Sequence, residues 1–383
     1  MEWKEVRLGD VCDIITGFPF KGKYYTKEGI RVVRGDNVTI GNLRWDSEKD
    51  KRWNEPFDKA EYYSLQANDI VIGMDGSRVG KNKARIKEED LPLLLAQRVA
   101  CVRHNHLAEQ DYLYYNIFSK KFIDYVNSIH TGSAIPHISQ KQIEDYLIPL
   151  PDLDNQRRIA SILSSLDRKI ELNNKINADL EEMAQAIFKN WFVDFEPFKD
   201  GKFVNSELGM IPEGWKVGTL EDLIAIKYGK DHKKLEEGTF PVYGSGGLMR
   251  FVNSWLYDGE SVLIPRKGTL DNIMYVCEKF WTVDTMFFST PKKDYVMKYV
   301  YNYIKRFDFS KMNEGTSVPS NTAARLNKMQ ILIPNQEVLK MYDETLCPNY
   351  NKRKMNDKES SHLSLLRDTL LPRLMSGEIE VPE

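Results

Sequence analysis

One long helical seam limits what this chain can fold into more than any other feature of its sequence. Apolar residues recur at alternating steps of four and three from about Asn155 to Phe192, and such sustained spacing is typical of a coiled-coil helix. A helix of this length spans roughly 55 Å, so the rest of the chain must provide a partner helix. Two asparagines in the seam weaken it but fix the register and orientation of the partner. The seam comprises Ile159, Leu163, Leu166, Ile170, Asn173, Asn177, Leu180, Ala184, Ile187 and Trp191.

The composition limits the class of protein. A chain of 383 residues is too long for one ordinary core, so two or three domains are expected. There is no apolar run of about 18 residues and no signal-peptide apolar region at the charged start, which predicts a cytoplasmic protein. The four cysteines lie far apart without a CxxC pair and favour neither a zinc site nor a disulfide framework. The net charge of -2 averages acidic helical parts with neutral to mildly basic globular parts, which suits globules that meet a polyanion.

The second half of the sequence repeats the first. The segment WKVGTLEDLIAIKYG, which begins at Trp215, matches WKEVRLGDVCDIITG from Trp3 at an offset of 212 residues. The basic loop MDGSRVGKNKAR recurs as PRKGT, and the loop TGSAIPHIS recurs as EGTSVPSNT. A second amphipathic helix begins near Glu337, and Pro348 with the polar run after it predicts a kink or bend. The chain is therefore predicted to be a two-fold repeat of a globule followed by a helix.

The repeat predicts the architecture. The fold class is α+β, with two mixed α/β globules in tandem, joined and spaced by two long helices that pack as an antiparallel coiled coil. Such helices would hold the globules roughly 50 Å apart. DNA rises about 3.4 Å per base pair, so two globules at this distance could bind one duplex at sites separated by roughly a helical turn or more. Because the two globules differ in sequence, the target is expected to be bipartite and asymmetric. The predicted division is 1–150 for the first globule, 151–194 for the first helix, 195–212 for a linker, 213–335 for the second globule and 336–383 for the second helix.

A basic loop in the first globule is the strongest local signal of a binding surface. It runs from Met74 to Arg85, follows a strand predicted at Asp69–Gly73, and carries four cations within eight positions. Such a loop can present backbone amides and cations to phosphates or base edges, although a solvated hairpin tip is the commoner state of a lone loop. Further along, the sequence predicts a single buried strand over Leu94–Arg103 and an aromatic-rich helix over Asp111–Ser128.

Three literal motifs suggest catalysis, and the context of each argues against it. Pro151-Asp152 followed by Asp167-Arg168-Lys169 spells a nuclease pattern, but its second half lies on the predicted helix and not on the strand that the pattern needs. His104-Asn105-His106 is contiguous, whereas the letters of an HNH site are dispersed. Asn54-Glu55-Pro56-Phe57 lacks the central proline of the NPPF motif of adenine methyltransferases, and no glycine-rich methyl-donor motif accompanies it. The sequence therefore predicts no catalytic residue and no metal ligand.

Three stretches in a fixed order resemble a known family. They are FKNWFVDFEPF with SELGMIPEGW in the centre, LRDTLLPRLMSGEI near the end, and GSAIPHISQKQIEDYLIPLPDLDNQRRIASIL at the start of the first helix. Over essentially the whole chain they resemble the specificity (HsdS) subunits of type I restriction–modification systems. The resemblance implies two target recognition domains that read a bipartite DNA sequence without catalysis. It also implies two modification (HsdM) subunits docked on the helices, restriction (HsdR) subunits for cleavage, and S-adenosylmethionine and ATP on those partner subunits only.

Two other functions are left open by the sequence. The chain could be the recognition part of a fused methyltransferase or nuclease, which the missing catalytic motifs disfavour. It could also be a coiled-coil adaptor that never touches DNA, and salt-sensitive DNA binding would distinguish it from a DNA reader.

Candidate binding residues follow from residue type, loop position and analogy between the repeats. The predicted DNA contacts of the first globule are Lys21, Lys23, Arg34, Ser77, Arg78, Lys81, Lys83, Ser133 and His137. Those of the second globule are Lys227, Tyr228, Lys230, His232, Ser245, Arg266, Lys267, Ser317, Ser320 and Asn321. Aromatic residues at the end of the first helix are expected to pack on the second globule or on a modification subunit. With two leucines of the second helix they form the predicted partner-binding set: Trp191, Phe192, Phe195, Leu366 and Leu370.

Overall fold

Two helices of 40 residues each, Leu153–Phe192 and Gln336–Met375, follow the two sheet-containing halves of the chain. The structure is a computed structural model and describes residues 3–129, 136–309, 311 and 320–381. It divides into unit 1, Met1–Leu172 with Glu359–Glu383, and unit 2, Asn173–Lys358. Each long helix therefore contributes residues to both units, and unit 1 takes segments from both ends of the sequence.

Unit 1 is a set of antiparallel and mixed sheets with short helices packed on them. With the strands numbered as given below, the main sheet has the order β2-β9-β6-β7-β4 and a smaller sheet has the order β5-β3-β8. Strand β1 pairs with β10. The strands are β1 (Lys4–Arg7), β2 (Cys12–Thr16), β3 (Ile30–Val33), β4 (Ile40–Gly41), β5 (Arg52–Trp53), β6 (Ile70–Gly73), β7 (Lys83–Arg85), β8 (Leu93–Leu95), β9 (Val99–His104) and β10 (Leu147–Leu150). The helices are α1 (Leu8–Val11), α2 (Gln110–Ile117), α3 (Lys120–Ile129), α4 (Gln140–Glu144) and α5 (Leu153–Phe192).

Strand β6 shows why its sequence is apolar without interruption. All four of its residues are buried, and successive side chains of a strand point to opposite faces of the sheet. Ile70 and Ile72 pack in a core with Phe122 of α3, whereas Val71 packs in a second core with Val33 of β3. A strand covered on both faces needs apolar residues on both, and Ile70, Val71 and Ile72 meet this requirement. Asp69, the first residue of the predicted strand, lies outside β6.

Unit 2 repeats this arrangement with longer strands. Its main sheet has the order β14-β19-β17-β18-β15-β16, β13 pairs with β20, and β11 pairs with β12. The strands are β11 (Phe203–Ser206), β12 (Gly209–Pro212), β13 (Lys216–Thr219), β14 (Ile224–Tyr228), β15 (Glu237–Gly244), β16 (Gly247–Val252), β17 (Tyr257–Pro265), β18 (Met274–Thr282), β19 (Met286–Pro291) and β20 (Gln330–Ile333). The helices are α6 (Met297–Ile304), α7 (Ala323–Asn327) and α8 (Gln336–Met375).

Equivalent hydrogen bonds confirm the internal repeat. Gly17 and Gly229, which the sequence aligns, sit where a Cβ atom would lie within about 2.2 Å of a backbone oxygen in each unit, so only glycine fits at either position. Matching donors and acceptors also fix the basic loops and the strands that close the two globules. In each of the following matches the first residue donates to the carbonyl of the second, and the bond of unit 1 is given before its equivalent in unit 2: Gly17–Val99 and Gly229–Met286; Met74–Arg98 and Arg266–Thr285; Ile138–Met74 and Asn321–Arg266; Tyr112–Pro149 and Tyr299–Leu332.

The two long helices run antiparallel in the part that each unit contains. In unit 1, Arg367 of α8 forms an ion pair at 2.7 Å with Asp167 of α5, and Ile159 and Leu163 share a core with Leu374. In unit 2, Arg353 pairs with Glu181, and Asn356 donates its side-chain N–H to Asn177 Oδ1 at 2.8 Å. The seam asparagine Asn177 therefore contacts a polar partner on the opposite helix, as its position in the heptad pattern predicts. Helix α8 continues without a break through Pro348.

Two expected elements differ from the structure. The single strand predicted over Leu94–Arg103 is two strands, β8 and β9, separated by a turn in which Arg98 has a φ of 70°. The helix predicted over Asp111–Ser128 is divided into α2 and α3, because Phe118 and Ser119 form a turn between them. In both cases apolar residues resume after a turn of two residues, Gln97-Arg98 in the first case and Phe118-Ser119 in the second, so the pattern predicts one continuous element.

Candidate nucleic-acid interface

A polar cleft in unit 1 collects part of the predicted DNA-contact set. The cleft has a volume of about 590 Å³. It is formed where the loop after β6 meets the turn between β8 and β9 and the segment after β3. Among its lining residues are the predicted contacts Arg34, Ser77 and Arg78, together with Tyr25, Asp75 and Arg98.

Backbone hydrogen bonds hold the basic loop of unit 1 in place. Met74 donates its N–H to the carbonyl of Arg98 at 2.9 Å, and Gly76 donates to Pro136 at 3.1 Å. Gly76 has a φ of 97°, a conformation that glycine adopts without steric cost. Asp75 forms an isolated β-bridge with His137, so the half-buried His137 lies beside the cleft. The loop therefore has a defined path before any ligand binds.

The cations of the cleft are held in different ways. The Arg34 guanidinium lies 5.7 Å from the ring centre of Tyr25 and 3.9 Å from the carboxylate of Asp36. Arg98 Nε lies 3.9 Å from Asp75 Oδ2, and its side chain is 59% exposed. Ser77 and Arg78 are exposed at the tip of the loop. The cleft thus combines acidic and basic groups, a mixture that can contact both phosphates and base edges.

Lys83 is a correction to the predicted set. It lies on β7 and is only 3% exposed. Its ammonium group donates to the carbonyl of Gly80 at 2.9 Å and lies 5.4 and 5.0 Å from the ring centres of Phe118 and Phe122. Burial lowers the pKa of Lys83 from its ordinary value of 10.5 to about 7. A side chain enclosed in this way belongs to the core beneath the loop and cannot contact DNA.

The remaining predicted contacts of unit 1 divide by position. Lys21, Lys23 and Lys81 are exposed, and the Lys23 ammonium lies 4.7 Å from the ring centre of Tyr24. Ser133, like Ser317 of the second globule, lies outside the described residues.

A second group of basic and polar residues lies at the equivalent place in unit 2. Arg266 donates its backbone N–H to Thr285 at 2.8 Å, and its guanidinium lies 5.5 Å from the ring centre of Tyr228. Lys267 forms an isolated β-bridge with Ser320. The carbonyl of Ser245 accepts a hydrogen bond from the side chain of Asn272 at 2.9 Å, which fixes the turn between β15 and β16. The structure therefore brings together five predicted residues: Tyr228, Ser245, Arg266, Lys267 and Ser320.

Asn321 is the second correction. It is 1% exposed, and its side-chain N–H donates to the carbonyl of Pro265 at 2.9 Å. Asn321 therefore supports the Arg266 loop from within and does not face a ligand. Lys227 and Lys230 are exposed, and His232 is half-buried.

The two groups have the same backbone frame and different side chains. The hydrogen bonds of the repeat place Asp75 of unit 1 where unit 2 has Lys267, and His137 where unit 2 has Ser320. Arg98 likewise corresponds to Thr285. An acidic residue in one unit replaces a basic residue in the other, so the two surfaces offer different hydrogen-bonding groups to a ligand.

The aromatic residues of the predicted partner-binding set pack on the second globule, which is the first of the two alternatives expected for them. Phe192 is 4% exposed and packs in the core of unit 2, with ring centres 4.6 Å from Tyr299 and 4.8 Å from Tyr342. Trp191 and Phe195 are half-buried against the same core. The aromatic cluster therefore packs the helix on its own unit, and Phe192 is not available to a partner. Leu366 is 47% exposed, whereas Leu370 is half-buried in a core of unit 1.

The residues of the misleading motifs have structural roles. Asp152 caps the start of α5 by accepting the backbone N–H of Asn155 at 2.8 Å, and this hydrogen bond holds the pKa of Asp152 below its usual range. Asp167 accepts a hydrogen bond from Tyr115 and pairs with Arg367, both at 2.7 Å. Within the described residues, no group of three or more His, Cys, Asp or Glu side chains is arranged to hold a metal ion. None of the helices in the described part of the chain has the length and apolar character that a membrane span requires.

Comparisons with known proteins agree with the tandem architecture. The family described as type I restriction modification DNA specificity domain matches residues 1–182 and 212–343. The chain belongs to this family of type I restriction–modification specificity subunits. It is 30% identical over 310 residues to the type I restriction enzyme MjaIX specificity subunit of Methanocaldococcus jannaschii. This alignment covers 71% of the chain and 70% of the relative. The MjaVIII specificity subunit of the same organism is 25% identical over 99% of this chain and 93% of its own.

A solved structure shows the same fold. The S subunit of a type I restriction–modification system from M. genitalium matches with a TM-score of 0.60 and 19% identity, over 98% of this chain and 96% of that one. The predicted fold class, two mixed α/β domains in tandem with long antiparallel helices, is confirmed.

Proposed function

We propose that this chain reads a bipartite, asymmetric DNA sequence for a modification and restriction complex and carries out no catalysis itself. One observation supports this most strongly: two structurally equivalent loop sites bear different side chains. Asp75, His137 and Arg98 in unit 1 correspond to Lys267, Ser320 and Thr285 in unit 2. Because base edges in the major groove differ in their pattern of donors and acceptors, sites that differ in this way select different half-sites. We therefore assign one half-site to each unit.

The site chemistry supports a division of labour within each half-site. Exposed Lys21, Lys81 and Lys230 suit phosphate contacts, which fix the position of the protein on the duplex without reading its sequence. Arg78, Arg266 and Lys267 lie on loops whose backbones are fixed, and Arg or Lys are the usual partners of guanine O6 and N7. We propose that residues 1–150 and 213–335 form the two recognition domains, as the sequence predicts.

Exposed apolar residues on the long helices support docking of partner subunits. Met355, Leu365 and Leu366 of α8 are 65%, 68% and 47% exposed. Leu172 and Met183 of α5 are 50% and 52% exposed. Exposed apolar side chains that form a contiguous patch mark protein contacts, and we propose that these residues contribute to such patches. We propose that two modification (HsdM) subunits dock on these helices, that restriction (HsdR) subunits join for cleavage, and that S-adenosylmethionine and ATP bind to those partners.

The decisive experiment maps methylation in cells. The chain is co-expressed with its modification subunit in a host without N6-methyladenine, and the methylated adenines are mapped across the genome. A bipartite, asymmetric motif is expected. Replacing residues 213–335 with those of another specificity subunit is expected to change one half of the motif only. A stable complex that methylates no defined motif, or a swap that changes both halves, would contradict the assignment.

A binding measurement tests the non-catalytic role. The purified chain alone is expected not to bind S-adenosylmethionine in equilibrium dialysis, whereas the complex with the modification subunit binds it. Binding by the isolated chain would favour the fused-methyltransferase alternative. DNA binding by the complex is expected to weaken steeply with salt, as contacts to phosphates require, and a salt-independent result would favour a purely structural adaptor.

A further inference from the structure

Arg98 lies on a turn of the unit 1 cleft that several hydrogen bonds hold in place. It sits in the turn between β8 and β9, and its own carbonyl accepts the backbone N–H of Met74 at 2.9 Å. The two residues before it are also tied to other segments: Ala96 donates to Val33 at 2.9 Å, and Gln97 donates to Phe18 at 2.9 Å. Three separate parts of the chain therefore hold this turn. A side chain carried by such a turn has a fixed starting position, which precise recognition requires.

The backbone of Arg98 is in an unusual conformation. Its φ is 70°, in the left-handed region that residues other than glycine, asparagine and aspartate rarely adopt. A strained non-glycine residue persists only where the surrounding structure imposes it, and such residues concentrate at functional sites. Glycine would fit this φ more easily, so the arginine side chain itself is the feature to be explained.

The guanidinium of Arg98 has an acidic neighbour at ion-pair distance and forms no hydrogen bond with it. Asp75 Oδ2 lies 3.9 Å from Arg98 Nε, on the inner side of the fork. Among the described residues, no hydrogen-bond acceptor contacts its two terminal nitrogens. The Arg98 side chain is 59% exposed, and Asp75 is 33% exposed. An exposed guanidinium with a carboxylate beside Nε and with both terminal nitrogens free can form the bidentate contact that arginine makes with guanine O6 and N7.

The other arginines of the cleft fit this role less well. Arg34 is 25% exposed as a side chain and lies between Asp36 and the Tyr25 ring. Arg44 forms an ion pair at 3.1 Å with Asp46. Arg78 is exposed on the loop tip and has no carboxylate partner among the described residues to orient it. Of the four, Arg98 combines a backbone held by three other segments, a nearby carboxylate and an exposed guanidinium.

From this geometry we propose that Arg98 reads a guanine in the half-site of unit 1 and that Asp75 positions it. The inference rests on the proposed function, because it assigns one base of the half-site to one side chain. It also explains the contrast between the units: Thr285 and Lys267 occupy the equivalent positions in unit 2, so unit 2 has no such buttressed arginine there. Discrimination at a single G·C pair in one half of the target is the result.

Arg98→Gly separates reading from folding. Glycine adopts a positive φ freely, so the unfolding temperature of the chain is expected to stay within about 4 °C of the wild-type value. The complex of this variant with the modification subunit is titrated with the native duplex and with duplexes in which each pair of the unit 1 half-site is replaced in turn. That half-site is the one left unchanged when residues 213–335 are swapped. Arg7→Ala, which removes an exposed arginine outside the cleft lining, is the charge-matched control.

The expected result is specific to one base pair. Arg98→Gly binds the native duplex about 10–100-fold more weakly than the wild type, and both proteins bind equally to the duplex that lacks one particular G·C pair. Arg7→Ala matches the wild type on every duplex. Equal weakening on all duplexes with a shallower salt dependence would make Arg98 a phosphate contact, and unchanged binding on all of them would remove it from the interface. Either result overturns the inference.

Asp75→Asn tests the positioning role. It is expected to reduce discrimination at the same base pair, and to have no further effect on discrimination when Arg98 is already glycine. An equal loss of discrimination in both backgrounds would show that Asp75 acts independently of Arg98. Failure of the proposed function is recognised separately, because in that case the wild-type complex itself shows no half-sites.

Discussion

Replacing the buried lysine Lys83 by methionine is expected to stabilise unit 1. Val71 of β6 pairs with Ala84 of β7, and Leu263 of β17 pairs with Met274 of β18. Met74 corresponds to Arg266 in the repeat, so Val71 corresponds to Leu263, and their strand partners Ala84 and Met274 correspond as well. Lys83, the residue before Ala84, therefore occupies the position of Ile273, which is buried in a core of unit 2. Unit 2 thus demonstrates that this position accepts an apolar side chain. Methionine has nearly the length of the lysine stem and fills irregular space well.

The magnitude follows from the pKa of Lys83. Burial lowers that pKa from 10.5 to about 7, and each pH unit of difference corresponds to about 1.4 kcal/mol, so the charged form destabilises the fold by about 4–5 kcal/mol. Methionine loses the hydrogen bond to the carbonyl of Gly80 and leaves that carbonyl unpaired, which costs about 1–3 kcal/mol. Methionine also loses the attraction of the ammonium to the rings of Phe118 and Phe122, which lowers the expected gain by roughly another 1 kcal/mol. A net gain of about 0–3 kcal/mol is expected at pH 6.

The sign of the pH dependence is a second test. Below pH 7 both the folded and unfolded states hold the proton, and the destabilisation is complete. Between pH 7 and 10.5 the unfolded state still binds the proton that the folded state releases, so the wild-type stability rises with pH. The advantage of Lys83→Met is therefore greatest at pH 6 and shrinks towards pH 10. Near pH 10 the methionine variant is expected to be equal to or less stable than the wild type.

Urea unfolding at pH 6 and pH 9.5 measures both effects. Lys81→Met is the matched control, because Lys81 is exposed two residues away and its loss is expected to change stability by less than about 0.5 kcal/mol. The reasoning would be refuted if Lys83→Met lowered the free energy of unfolding at pH 6 by more than about 1 kcal/mol, or if the difference from wild type did not change with pH.

Two further predictions concern the predicted partner-binding residues. Phe192→Ala is expected to reduce the free energy of unfolding by about 3–5 kcal/mol, because Phe192 is 4% exposed in the core of unit 2; a loss below about 1 kcal/mol in urea unfolding would contradict its assignment to the core. Leu366→Ser is expected to leave the stability of the isolated chain within about 0.5 kcal/mol, since Leu366 is 47% exposed, and to lower the amount of modification subunit that co-purifies with it. Undiminished co-purification with Leu366→Ser would place the docking surface elsewhere.

Patterns that extend over many residues could be predicted from the sequence. The heptad seam depends on apolar residues at regular spacing, the internal repeat depends on several matched segments in the same order, and both are confirmed. Asn177 contacts Asn356 across the helices, as a polar residue in the seam predicts. These features tolerate local error, since no single residue decides them.

The orientation of individual side chains could not be predicted in the same way. Lys81 and Lys83 belong to the same basic loop in the sequence, yet Lys81 is exposed and Lys83 is in the core. Lys81 lies in the turn before β7, whereas Lys83 is the first residue of the strand and is buried there. Arg98 was hidden within an apolar run that predicts one strand. The one available signal was the pair of polar residues Gln97-Arg98, which recurs as Asp284-Thr285 and interrupts the apolar pattern in both copies.

The division of the chain into units has a consequence for its synthesis. Unit 2 is the contiguous stretch Asn173–Lys358, whereas unit 1 needs Glu359–Glu383 in addition to Met1–Leu172. Ile159 and Leu163 share their core with Leu374 and Met375, which the ribosome adds about two hundred residues later. Domains generally fold as units in the order in which they are completed, so the domain that is translated first is the last to be finished. Until then Ile159 and Leu163 can pack on Tyr112 and Tyr115 of α2, and the side of them that later meets Leu374 and Met375 stays exposed while the later unit folds.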